Sequence, residues 1–338
     1  MDILTLFPTN RCYRNCLHCF QAKADPREAL PLDLAESILT QARDLGFSSI
    51  GLTGGEVVLY PRLEELLRLI AAHGFTFNLM TSGFLFAERL LPLLQDPDIG
   101  KNLSNVCFSL DGARPETHEA LRGRGAFQEV LTAVTVCKEN QIPFSLKSMI
   151  TAFNREEITQ MALLAASLGA QEQIFLTTIP TPRLIKAQAI LPPRELDRVS
   201  AQIATGLAPA FKTHIGLSGW LSNRVLNSCH YVFDNAFVDF QGNLILCCDL
   251  AWVASGDGSP TCFGAEFLAN LGEVSLQEGL IRHFHAAASF AEARLHSLEE
   301  WRHQPFSLCY WCYHHFGKLE WLKNYPDSPW AAGVLGSS

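Results

Sequence analysis

Over the first two-thirds of the chain, short apolar runs alternate with amphipathic stretches. The runs Ile3–Phe7, Ser49–Leu52, Thr76–Met80, Val106–Leu110, Phe144–Ile150 and Gln173–Thr177 read as six strands. Between them, apolar residues recur at helical spacing. Leu34, Ile38, Ala42 and Leu45 share one face, and so do Leu63, Leu66, Leu67 and Ile70. Gly46 and Gly74 stand where helix C-terminal caps belong, just before the next strand. Phe127–Lys138 and Ile158–Leu168 complete the alternation.

Repeated strand–helix units predict an α/β fold with a parallel sheet and crossover helices, either an open doubly wound sheet or a barrel. Periodicity leaves both open. In either, active sites gather at the C-terminal ends of the strands, here the loops after Phe7, Leu52, Met80 and Leu110. After about Thr178 the texture changes. Pro180, Pro182, Pro192 and Pro193 punctuate a connector, a helix from Arg194 to about Leu207 follows, and the remainder is richer in Cys, Trp and His. Ala236–Phe240 and Asn243–Cys247, joined at Gln241-Gly242, look like a hairpin. A boundary near residue 215 divides the chain into a domain over 1–215 and a smaller Cys-rich α+β domain over 216–338.

Composition narrows the functional classes. A chain of 338 residues suits one large domain plus a smaller one, and 48% hydrophobic against 18% charged residues can bury a sizeable core. The formal net charge of -8 argues against general binding of nucleic acid or anionic membrane. No apolar run approaches the roughly 18 residues of a membrane-spanning helix. The start, Met1-Asp2-Ile3-Leu4, lacks the basic region of a signal peptide, so the cytoplasm is the expected compartment. Eleven cysteines in that setting point to metal ligation or redox chemistry rather than disulfides.

The first cysteine group follows the first strand directly: Cys12-Tyr13-Arg14-Asn15-Cys16-Leu17-His18-Cys19. Three thiolates on one loop can ligate three irons of a cubane cluster and leave the fourth open to an exogenous ligand. Zinc held by the three cysteines and His18 is the structural alternative.

With this CxxxCxxC loop, the chain resembles the radical S-adenosylmethionine superfamily. Gly54-Gly55-Glu56 after strand two resembles its GGE motif, and Thr81-Ser82-Gly83 after strand three matches the common TNG position with Ser for Asn. Ser109-Leu110-Asp111-Gly112, then His118 and Arg122-Gly123, resembles the SLDG…H…RG stretch of the subgroup with a SPASM domain. The resemblance covers about residues 1–180 and implies a partial (βα)6 TIM-like barrel, a 4Fe-4S cluster and S-adenosylmethionine. Glu56 would accept hydrogen bonds from the methionine amino group while Gly54 and Gly55 let backbone approach closely. Ser82, Ser109 and Asp111 belong to the same expected pocket. Two positions depart from the pattern: His18 replaces the usual aromatic residue, where its planar ring can still pack on adenine, and Val57 replaces the proline often found after GGE.

The last third holds Cys229, Cys247, Cys248, Cys262, Cys309 and Cys312. Cys229-x12-Gly242-x4-Cys247 resembles the opening of a SPASM domain, and Cys309-x2-Cys312 adds a compact pair. Four thiolates complete one fully ligated auxiliary 4Fe-4S cluster, as in shortened SPASM or twitch domains. No cysteine follows Cys312, so ligands for a second auxiliary cluster are lacking. Cys248 is an alternative ligand to Cys247, and zinc on the same cysteines is the alternative occupant. Asp249 is a candidate base, matching a family position after a one-residue shift, and Cys262 a candidate hydrogen-atom donor. Cys107 and Cys137 read as buried apolar residues. Lys147 and Arg183 read as salt-linking groups at the barrel mouth, or as holders of a substrate carboxylate. His314-His315 reads as part of an aromatic-rich terminal helix.

The resemblance implies an enzyme that cleaves S-adenosylmethionine to a 5′-deoxyadenosyl radical and abstracts hydrogen from a peptide or amino-acid-like substrate. The outcome would be a crosslink, an epimerisation or an oxidation. A small-molecule substrate such as a sugar or aminocyclitol, dehydrogenated or epimerised, is the second reading. A non-catalytic iron–sulfur carrier or scaffold is the reading from another class. A reductant such as flavodoxin or ferredoxin is implied. The first strand begins at Ile3, which leaves no space for an N-terminal peptide-recognition domain and weighs against the peptide reading unless a separate protein supplies recognition.

Overall fold

The expected strands form as β1 (Ile3–Leu6), β2 (Ser49–Leu52), β3 (Thr76–Thr81), β4 (Leu103–Ser109), β5 (Phe144–Ile150) and β6 (Glu172–Thr177) in a computed structural model. It describes residues 1–19, 29–207, 213–219, 229, 231–250, 264–297, 301 and 308–331. Leu4, Leu6, Ile50, Phe77, Leu79, Val106, Phe108, Leu146 and Phe175 are fully enclosed, as a sheet covered on both faces requires.

Neighbours pair in parallel and in sequence order from β1 to β6, and the sheet continues into β7 (His214–Ser218). A doubly wound sheet reverses strand order at a switch point, and this one never does, so the unit is a partial barrel. On its other side β1 pairs in parallel with β8 (Asn235–Val238), followed antiparallel by β9 (Asn243–Ile245) and β10 (Phe267–Asn270). The resulting sheet runs β10-β9-β8-β1 to β7 and stays open. Residue 215 lies within β7, and β8 to β10 extend the barrel sheet from its opposite end.

The first helix, Leu32–Asp44, buries Ala35, Ile38, Leu39 and Ala42, so the expected face through Leu34 and Leu45 is rotated. Leu45 is 40% exposed. The cause is the helix end: Gly46 takes φ +87, the Phe47 amide donates to the Ala42 carbonyl, and Phe47 enters the core in place of Leu45. Leu34 packs instead beside Gly242 in the β8–β9 turn. The helix Leu63–Ala72 buries the predicted set Leu63, Leu66, Leu67 and Ile70.

Two further helices frame the C-terminal part. Leu276–His296 is capped by Ser275, whose hydroxyl accepts from the Glu278 amide, and it packs on β10. Leu308–His315 buries Tyr310, Trp311 and Tyr313, and His315 stacks on Trp311 at 4.9 Å. Among the described residues no helix is long and apolar enough to cross a membrane. Cys107 and Cys137 are buried, in β4 and in the helix Ala126–Glu139.

Candidate active site

The loop after β2 forms a bed for the cysteine loop after β1. The Gly55 amide donates to the Thr9 carbonyl at 2.9 Å and the Glu56 amide to the Arg11 carbonyl at 2.7 Å. A Cβ on Gly55 would fall 2.1 Å from the Arg11 carbonyl oxygen, and one on Gly54, at φ +123, 2.7 Å from that of Thr9. Backbone at this distance excludes any side chain. The glycines therefore bring the segment entering Cys12 directly against the end of β2.

The Glu56 side chain ties the same bed to the end of β3. The Thr81 hydroxyl donates to Oε1 at 2.6 Å, and the Ser82 amide and hydroxyl donate to Oε2 at 2.9 and 2.6 Å. Burial pushes the Glu56 pKa up, against the donors from Ser82 and Thr81. Here the carboxylate expected to face a ligand amine is a buried brace between two strand ends.

The cysteine loop is also gripped from above. Arg14 Nη1 donates to the carbonyls of Arg122, Gly123 and Arg124, and Nη2 pairs with Glu129 at 2.8 Å. Tyr13 donates to Glu129, accepts from Arg14 Nε at 2.6 Å and stacks on Phe84 at 3.7 Å. Arg183 donates to the side chain and carbonyl of Asn15 at 3.2 and 3.1 Å, which gives it a loop-holding role. Cys12 and Cys19 remain exposed and Cys16 half-buried.

Asp111, at the end of β4, is fully buried and accepts from Arg122 Nε and from the Met149 amide. Burial opposes its ionisation, but Arg122, His18 and His118 outweigh it and hold the carboxyl below the ordinary range. The Asp111 amide donates to His118 Nδ1 at 2.9 Å, and burial pushes the His118 pKa down to about 4. His18 lies between the cysteine loop and this pair, with Nδ1 3.9 Å from Asp111 Oδ2 and Nε2 3.4 Å from Arg122. Burial first, then Arg122 and Arg183, hold His18 neutral with a pKa of about 4, against the pull of Asp111. Ser109, the last residue of β4, is 9% exposed.

The second cysteine group assembles from distant segments. Cys312 feels the charges of Cys247 and Cys229, and Cys309 those of Cys312, Cys247 and Cys229. Burial leads these effects and pushes Cys312 up to about 12. Cys247 packs against the main core, whereas Cys248 packs with Phe7, Phe237 and Ile245 and its thiol lies 3.8 Å from Asp249. Asp249 also accepts from Cys309 at 3.4 Å, and the Tyr313 hydroxyl donates to its carbonyl. Lys147, in β5, lies close enough for its charge to act on Asp249. Cys262 lies outside the described residues.

Comparison with known proteins gives the geometry a context. Residues 6–167 match the family described as the radical SAM superfamily. That stretch of the chain is similar to that superfamily. It is 29% identical over 187 residues to the AdoMet-dependent heme synthase of Methanosarcina barkeri, covering 54% of this chain and 52% of that protein. It is 29% identical over 191 residues to the PqqA peptide cyclase of Gluconobacter oxydans, with 55% and 52% coverage. The aligned part thus spans about half the length of these relatives. Among solved structures, Streptococcus suis SuiB bound to S-adenosylmethionine superposes with a TM-score of 0.64 at 17% identity, covering 83% of this chain and 67% of that one. The open partial barrel is therefore the fold, as in SuiB.

The radical SAM superfamily implies a 4Fe-4S cluster and S-adenosylmethionine, and the donor set fits. Three thiols share one loop at the barrel mouth, bedded on a glycine cradle that a Cβ would fill. Among the described residues no group of three Cys, His, Asp or Glu side chains stands gathered around one metal ion. Sequence reasoning missed the clamps of the Cys12–Cys19 loop, Tyr13, Arg14 and Glu129, because they act through contacts 69 to 116 residues apart. It also missed Arg294, which lies against Cys312. No local pattern marks either.

Proposed function

We propose that the chain is a radical SAM enzyme that abstracts hydrogen from a peptide or amino-acid-like substrate. The observation that carries this reading is the seating of Cys12, Cys16 and Cys19 on the Gly54–Glu56 backbone at the mouth of a radical SAM barrel. When bound, the three-thiolate cluster supplies one electron to S-adenosylmethionine, which yields the 5′-deoxyadenosyl radical. The residues of the chain do the positioning. Gly54, Gly55 and Glu56 fix the loop, Ser82 and Ser109 border the S-adenosylmethionine pocket, and Asp111 with Arg122 holds His18 in place to pack against adenine.

Residues 1–215 form the catalytic part in this reading and 216–338 an auxiliary part of SPASM or twitch type. Cys229, Cys247, Cys309 and Cys312 ligate one auxiliary 4Fe-4S cluster. Cys247 is preferred to Cys248 because its charge acts on the other three thiols. Asp249, between this group and Lys147, is the proposed base, and Cys262 a proposed hydrogen-atom donor. A flavodoxin or ferredoxin would deliver the electron.

Peptide chemistry is supported by the PqqA peptide cyclase and by a second relative, the antilisterial bacteriocin subtilosin biosynthesis protein AlbA, 26% identical over 165 residues. The fold is also that of SuiB bound to its precursor peptide SuiA. A small-molecule substrate is favoured by one observation, the likeness to a heme synthase. Anaerobic reconstitution followed by dithionite and S-adenosylmethionine tests the class. The expected result is 5′-deoxyadenosine with about eight irons per chain for two 4Fe-4S clusters. No 5′-deoxyadenosine under several reductants would favour an electron carrier. About four irons would remove the auxiliary cluster.

A further inference from the structure

The long helix Leu276–His296 carries one cation into the second cysteine group. Arg294 is only 3% exposed, and its Nη2 donates to Cys312 Sγ at 3.4 Å. Its guanidinium carbon lies 4.4 Å from the Phe290 ring centroid and 5.4 Å from that of Trp311. Its charge also acts on Cys229. Nε is buried with no hydrogen-bond partner, and among the described residues no carboxylate pairs with this side chain.

Contacts with aromatic faces offset only a small part of the cost of burying a cation without an anion. Among the described residues the surroundings therefore offer no negative charge, and the thiols facing Arg294 are the groups that would supply it. Four cysteinates around a 4Fe-4S core leave a net charge of roughly −2, which becomes roughly −3 on one-electron reduction. A fixed cation beside a ligand sulfur favours the more negative state. Net charge and hydrogen bonds to sulfur are two of the factors that set such potentials.

We infer that Arg294 is the counter-charge of the auxiliary cluster, a positioning residue that raises its reduction potential through its charge and its N–H···S contact with Cys312. This rests on the auxiliary-cluster reading above. The test uses the full chain with Cys12→Ala, Cys16→Ala and Cys19→Ala together, reconstituted anaerobically so that only the C-terminal site can load. Iron content and the midpoint potential, followed by electron paramagnetic resonance during a dithionite titration, are then compared with and without Arg294→Gln or Arg294→Lys. The glutamine variant should keep its iron and lower the midpoint by at least about 59 mV, tenfold in the one-electron equilibrium. The lysine variant keeps the charge but loses the planar fork, and should fall between.

An unchanged midpoint in a fully loaded glutamine variant overturns the inference. If the glutamine variant does not load, restoration by lysine supports the charge role, whereas failure of both makes Arg294 a packing residue and overturns it. Should the triple-alanine parent itself hold no cluster, the auxiliary-cluster reading fails, independently of Arg294.

Discussion

The two cysteine groups are built in opposite ways. Cys12, Cys16 and Cys19 share one short loop whose thiols are exposed or half-buried, held by polar clamps at the barrel mouth. Cys229, Cys247, Cys309 and Cys312 come from three separate segments and meet beside Phe290, Trp311 and Arg294. A local, accessible, three-thiol loop suits a cluster with one exchangeable position. A four-thiol site of half-buried sulfurs drawn from separate segments suits a cluster with none. In the proposed reading, the contrast separates the centre that would meet S-adenosylmethionine from the one that would not.

The largest expected effect separates the two directly. Cys16→Ala should reduce 5′-deoxyadenosine to background and remove about four of roughly eight irons. Cys309→Ala should remove the other half while leaving reductive cleavage of S-adenosylmethionine measurable. If either variant lost all iron, or if Cys309→Ala also abolished cleavage, the division of labour would not stand.

Glu56 probes how much the open site depends on its scaffold. Glu56→Leu strands three donors from Thr81 and Ser82 in a site that is 2% exposed. Each buried unsatisfied group costs about 1–3 kcal/mol, so a loss of about 3 kcal/mol or more is expected in chemical denaturation. Binding of S-adenosylmethionine should weaken in parallel. A variant as stable as the parent would mean that the strand ends are held by something else.

These braces mark where legibility in the sequence stops. The six strands, the glycine caps and the cysteine loop were readable because each depends on residues adjacent in sequence or at one fixed period. β7 and β10 were not anticipated, since His214–Ser218 and Phe267–Asn270 are short and gain their partners only through the finished sheet. The face of the helix Leu32–Asp44 was misread by one position because the Gly46 cap, not the period, decides which apolar residue turns inward. Glu56 was legible as a carboxylate at a strand end, but its engagement by Thr81 and Ser82 depends on β2 and β3 being neighbours. Arg294 was illegible for the same reason, as nothing near it in sequence announces Cys312.

The frame behind the open site should also carry acid sensitivity. His118 titrates near 4 in the fold and near its ordinary 6.5 when unfolded, because burial disfavours its cation. Between these values the unfolded chain binds more protons, so stability rises with pH. The contribution is complete above about 6.5 and is lost as pH falls towards 4, reaching about 2 kcal/mol at pH 5. His118→Asn can still accept from the Asp111 amide and should flatten the parent's slope by that amount in denaturation curves at pH 7 and pH 5. Identical slopes would show that His118 does not control the acid limb.

The smallest effect concerns the clamp least protected from water. Arg183 is exposed and holds Asn15 through two hydrogen bonds, whereas Arg14, 8% exposed in its side chain, reaches three carbonyls and Glu129. Exposed polar links contribute about 0–1 kcal/mol, so Arg183→Ala should leave global stability within about 1 kcal/mol of the parent. Its consequence should be local, a faster loss of iron to a chelator from the Cys12–Cys19 loop and no change at the C-terminal group. Equal acceleration at both sites would mean that the two groups share a support that their geometry does not reveal. Acceleration at the loop alone would tie the exposed cluster's lifetime to contacts that hold backbone rather than sulfur.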